Sequence, residues 1–145
     1  MTLEQLQVKF PEATADTWHR HSNGGGWVQN TASVAKTAYV GPDALVFGNA
    51  QVSGNAKVSG NAKVSDNAWI AGLARVSDNA WVFGDAWVFG DAWVFGNARV
   101  YDNATVSGNA KVSDNAQVFG DAQVYGNAQV YGKARVFGDA RVQGM

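Results

Sequence analysis

At 145 residues, with a net charge of −1 and no cysteine, the chain is sized for one domain and carries no thiol for catalysis, metal binding or a disulfide. The basic residues Lys57, Lys63, Arg75, Arg99, Lys111, Arg135 and Arg141 stand singly, which argues against a nucleic-acid partner. Nothing approaches the roughly 18 consecutive apolar residues of a membrane span and no apolar run precedes a cleavage site, so a cytoplasmic address is expected, with a virion as the other compartment this composition suits.

The first element in chain order is a helix. TLEQLQVKF offers Thr2 as N-cap, Leu3, Leu6 and Phe10 fall on one helical stripe, and Pro11 stops the run. This helix is expected to cover one end of whatever follows.

The next stretch, TADTWHRHSNGGGWVQN, has the highest density of chemically able side chains: Trp18, His19, Arg20, His21 and Asn23, then Gly24 to Gly26. Two readings compete. His19 and His21, two residues apart, can face one way on a strand and hold a metal, or the glycines can let backbone approach a ligand. Alternatively Trp18 plugs an open end, the glycines turn the chain into Trp27, and both histidines stand in solvent. No third ligand accompanies the histidines, so the second reading is preferred. Neither a metal nor a cofactor is expected.

From Val28 to Val142 an aliphatic residue returns every sixth position, valine throughout except Ile70, and alanine follows each at four residues, from Ala32 to Ala140. A unit of six residues is too small to bury anything alone and must stack on its copies. In V-x-G-N-A-x, as in VFGNAQ from Val46, the alanine and the next valine alternate with one outward residue, which is the period of a short strand. The Gly-Asn, Gly-Asp or Asp-Asn pair between strands tolerates left-handed backbone and makes a corner. Leu73 and Lys133 depart from the corner rule and are expected to mark irregularities.

This pattern resembles the hexapeptide-repeat family over residues 28 to 145, including the GNA-type repeats of bacterial and phage proteins. The resemblance implies an all-β fold: a single-stranded, left-handed parallel β-helix, a triangular prism with three hexapeptides per turn. The handedness rests on the resemblance alone. Six to seven coils at about 4.8 Å each give a prism roughly 30 Å tall. With the eighteen residues per turn that the resemblance implies, Asn49, Asn67, Asp85 and Asn103 fall in one vertical column, expected to stack through side-chain amides. The domain division is therefore 1–27, an N-terminal cap of short helix and glycine-rich entry loop, and 28–145, the β-helix.

Many relatives are acyltransferases with a histidine base, or carbonic anhydrases with three histidines on a metal. Neither pattern carries over, because both histidines here precede the first repeat and no loop leaves the coil to shape an acyl-donor cleft. Asp66, Asp78, Asp85, Asp91 and Asp121 fall at corners, as turn formers. An enzyme is not expected.

The aromatic residues are the informative departure. Trp81, Phe83, Trp87, Phe89, Trp93 and Phe95 occupy outward slots on three consecutive sides, a belt around one coil. Phe47, Phe83, Tyr101, Phe119 and Phe137 share one slot at multiples of eighteen, with Ser65 as the gap. Both sets are read as an oligomer interface, because exposed apolar area of this extent marks contact surfaces. The resemblance implies a homotrimer of parallel prisms, and the VFGDARVQGM end suggests end-to-end pairing through the last coil. The leading function is a non-catalytic, self-associating structural module. The alternative is a nucleotide- or sugar-binding protein using inter-subunit grooves near Trp81, Arg99 and Tyr101, or the cap-side residues Trp18, His19, Arg20 and His21. An acyltransferase-like enzyme ranks last.

Overall fold

The computed structural model describes residues 1–144. It is an all-β parallel solenoid of about seven turns, preceded by one short helix, α1 (Leu3–Lys9). Thr2 accepts from the Gln5 N–H at 3.1 Å while the Gln5 side chain accepts from the Thr2 N–H at 2.8 Å, so the expected N-cap is a reciprocal capping box. Lys9 in the last turn suits the negative helix end.

The solenoid has three faces, and each turn contributes one short strand to each. Face A carries strands that include Leu45–Val46, Lys63–Val64, Trp81–Val82 and Arg99–Val100. Face B includes Gln51–Val52, Trp69–Ile70, Trp87–Val88 and Thr105–Val106. Face C includes Lys57–Val58, Arg75–Val76, Trp93–Val94 and Lys111–Val112. Every parallel pair is in a register of eighteen, as in Val82↔Val100 and Val88↔Val106, so valine sits over valine through the full height. Val82 is 0% exposed and Ala86 1%, as the six-residue period demands. Alanine is constant because its slot lies beside the corner, where a larger side chain has no room.

In the corners, glycine alternates with aspartate. Gly48, Gly84 and Gly120 have φ of 67°, 66° and 65°, and Asp66 and Asp102, between them in the same column, have 59° and 58°. A Cβ on Gly84 would meet the Asp102 backbone nitrogen at 2.9 Å. A Cβ on Gly120 would meet the Gly138 nitrogen at 2.8 Å, so the clearance is set by the backbone of the next turn and not by the side chain it carries. The aspartate repays its left-handed backbone by accepting, through Oδ2, the N–H of the glycine one turn on: Asp66 from Gly84 and Asp102 from Gly120, each at 3.0 Å. Corner columns are joined through backbone, as in Asn67 N–H to Gly84 O at 2.9 Å, and not through stacked asparagine amides. Leu73 and Lys133 follow ordinary corners, with Gly72 at φ 67° and Gly132 at 64°, so neither is an irregularity.

The N-terminal segment covers the first turn in two ways. Strand β1 (Trp18–Arg20) pairs antiparallel with β2 (Trp27–Gln29) and adds a strand to face A. Residues 21–26 lie along the first strand of face C, with Gly26 N–H donating to Val40 O at 2.9 Å and Val40 N–H to Asn23 O at 3.0 Å. Both devices occupy backbone groups of a first turn that has no turn before it to pair with. Trp18 does not plug the end. It joins Leu6, Ala13, Trp27 and Leu45 in a second core, with Phe10 at 4.9 Å from both Trp18 and Phe47, laid on the outward slots of face A. Leu45, in a slot that is otherwise outward, is accordingly 1% exposed.

Candidate interaction surface

The two histidines are held apart by separate partners. His21 is buried at 7% exposure, which overturns its expected place in solvent, and its Nε2 lies 2.7 Å from the Ala38 carbonyl oxygen. A carbonyl only accepts, so Nε2 carries the proton and is closed to a metal. His19 is exposed, with Nδ1 at 2.6 Å from Asn30 Oδ1. Arg20 donates to the Met1 and Gly25 carbonyls and lies 4.4 Å over the Trp27 ring, clamping the chain start to the entry loop. No group of three His, Cys, Asp or Glu among the described residues is arranged to hold a metal.

The tryptophans of the repeat follow a rule that the sequence reading missed. Trp69, Trp81 and Trp93 each donate Nε1–H to a serine hydroxyl in the turn before, Ser53, Ser65 and Ser77, at 3.1, 2.9 and 2.8 Å. The separation is sixteen residues in each case, and that spacing was available as a signal. The gap at Ser65 in the aromatic column is filled by the Trp81 indole, which leaves Ser65 1% exposed. Trp87 has Ala71 at the same offset and no such bond; its ring stacks instead on Trp69, with centroids 5.0 Å apart and planes at 5°.

Phe83, Tyr101, Phe119 and Phe137 stand in register on face A, with successive centroids 4.8, 5.1 and 5.3 Å apart and near-parallel planes. Phe47 is separated from this stack and belongs to the cap. In the belt, Trp81 meets Phe83 at 4.4 Å, Trp87 meets Phe89 at 4.7 Å and Trp93 meets Phe95 at 4.3 Å, one pair on each face. The planes within each pair are tilted by 35° to 41°. Tyr101 also donates to Gln117 Oε1 at 3.1 Å, so the proposed groove residues Trp81 and Tyr101 have their polar atoms engaged within the chain, while Arg99 is exposed.

Charges isolated in sequence become neighbours in the coil. Lys57 and Arg75 are register partners on face C, with Trp93 next and Lys111 beyond it, along a cleft of about 440 Å³ that Asp91 also lines. Face A carries Lys63, Arg99 and Arg135, each separated from the next by an uncharged residue. Burial, and then the nearby charge of Lys9, push the Lys63 ammonium below its usual pKa. Lys63 lies 5.5 Å over the Trp81 ring.

These features define a parallel β-solenoid repeat protein. The family model described as YdcK Beta solenoid repeat matches residues 74–90, 92–108, 98–114, 116–132 and 122–136, with successive starts displaced by 18 or 6, one turn or one side of a turn. No curated protein and no solved structure matches the chain. No helix among the described residues is long and apolar enough to cross a membrane.

Proposed function

We propose that this chain is a non-catalytic structural module, a stiff short rod that associates with copies of itself through its aromatic faces. The observation that carries this reading is large apolar surface left open on a rigid scaffold: Trp69 and Trp87 are each 39% exposed and Leu73 57%. Ordered apolar surface of this kind, on a core that cannot rearrange to hide it, gains by association. The solenoid's polar groups serve its own architecture, at the corners and in the indole–serine pairs. Sedimentation or light scattering across the micromolar range checks the proposal. The expected result is a mass that is a multiple of the 15.4 kDa chain. A single monomeric species throughout overturns it.

One observation favours small-ligand binding as the second reading. Lys57 and Arg75 are like charges directly opposite in register, an unfavourable pair that an anion in the adjoining cleft relieves. Thermal-shift screening with nucleotides and sugar phosphates tests it, since a ligand that binds only the folded form raises the melting temperature. A flat response removes this reading and leaves the first untouched.

A further inference from the structure

The three faces differ in charge, and the difference selects a contact. The outward slots of face A hold Lys63, Arg99 and Arg135, and those of face C hold Lys57, Arg75 and Lys111. Face B holds one, Arg141 in its last strand; its other slots before the core residues read Ser33, Gln51, Trp69, Trp87, Thr105 and Gln123. A two-fold contact sets a surface against itself. On faces A and C such a contact opposes cation to cation, and like-charge juxtaposition is penalised. On face B it opposes neutral amides, hydroxyls and indole edges. The exposed tryptophans lie on this face, Trp69 and Trp87 in its middle turns with Leu73 at the corner that follows Trp69, while the other exposed rings, Tyr131 on face C and Phe137 on face A, stand near the last turns. The Trp87 N–H, unlike those of Trp69, Trp81 and Trp93, has no serine beneath it and remains free to donate outward.

We infer that face B is the self-contact surface, and that two copies pair across it about a two-fold axis near Trp87. The inference rests on the self-association reading and names its surface. It also moves the contact away from the Phe83–Phe137 stack of face A, whose inner rings are stacked on both sides and whose flanking slots include Arg99 and Arg135.

The test compares the full chain with Trp87→Lys and Thr105→Lys on face B and with Gln129→Lys on face C, by sedimentation velocity at matched concentrations. Lysine already occupies the equivalent slot at Lys57, Lys63 and Lys111, so the fold accommodates it, and a melting curve on each variant verifies this. Trp87→Lys is expected to weaken pairing about 100-fold, as loss of a central tryptophan anchor does, with Thr105→Lys following and Gln129→Lys unchanged. Because the chain lacks cysteine, single cysteines at Gln51 and Gln123, two turns to either side of Trp87, report the geometry. A parallel pair cross-links each to itself and an antiparallel pair cross-links one to the other; either pattern supports face B. Assembly that persists in both face B lysine variants, without either cross-link, overturns this inference and leaves self-association standing. A monomeric parent chain removes both.

Discussion

At the scale of single residues, the corner is the most constrained site in the chain. It needs left-handed backbone, and the backbone of the next turn stands close to it. Gly84→Ala meets both penalties, with φ at 66° and a 2.9 Å approach to the Asp102 nitrogen. Gly132→Ala has φ at 64° and open space around its new methyl. Denaturant melts are expected to show a loss of about 3 kcal/mol for the first, where strain and overpacking add, and about 1 kcal/mol for the second, where only the backbone term acts. Equal losses would mean that stacking clearance plays no part in placing glycine. The alternation of Asp-Asn with Gly-Asn or Gly-Asp every eighteen residues was visible in the sequence. The close approach of the next turn's backbone was not, because it depends on which residues the coil superimposes.

At the scale of the element, a strand of two residues has almost no stability of its own and is held by its neighbours above and below. Truncating the valine in the middle of a column therefore removes contacts from two turns at once. Val82→Ala, at a site 0% exposed, is expected to cost about 2 kcal/mol, while Val34→Ala, only partly buried on the first strand of face B, costs about 1 kcal/mol. The cap is an element of the same kind, held by its contact with face A. Phe10→Ala removes the ring that bridges Trp18 and Phe47 and is expected to lower stability by about 2 kcal/mol. Amide hydrogen exchange in that variant should quicken at Trp18–Arg20 and leave the middle turns protected, which reads the loss as local. The helix and its N-cap were legible in TLEQLQVKF. The docking place of Trp18 was not, since nothing local distinguishes a plug for an open end from a ring laid on a face.

At the scale of the whole molecule, the coil converts a spacing into a surface. Residues eighteen apart become neighbours about 4.8 Å apart, so a sequence in which charges stand singly produces two faces with three cations each in their outward slots and one with Arg141 alone. The same operation brings Trp69 onto Trp87 and Phe83 onto Tyr101, and superimposes Lys57 and Arg75 with no acid between them. The expected self-association, and its expected sensitivity to lysine on face B alone, belong to this scale. They follow from how the faces are composed and not from any single residue.

The amino-acid order by itself determined the period, the buried valines and alanines, the corners and the capping helix. Each of these is set by contacts within one repeat or within the N-terminal segment. Three repeats per turn was implied by the hexapeptide resemblance and is fixed by the register of eighteen, because a six-residue period keeps valine over valine at any multiple of six. What only the tertiary structure decided was where the unlike residues go: His21 against the Ala38 carbonyl, Trp18 on the flank of face A, Trp81 over Ser65, and the sorting of charge among the faces. Those outcomes depend on pairs sixteen to eighteen residues apart across a turn, or on a non-repeating segment whose docking has no period to announce it.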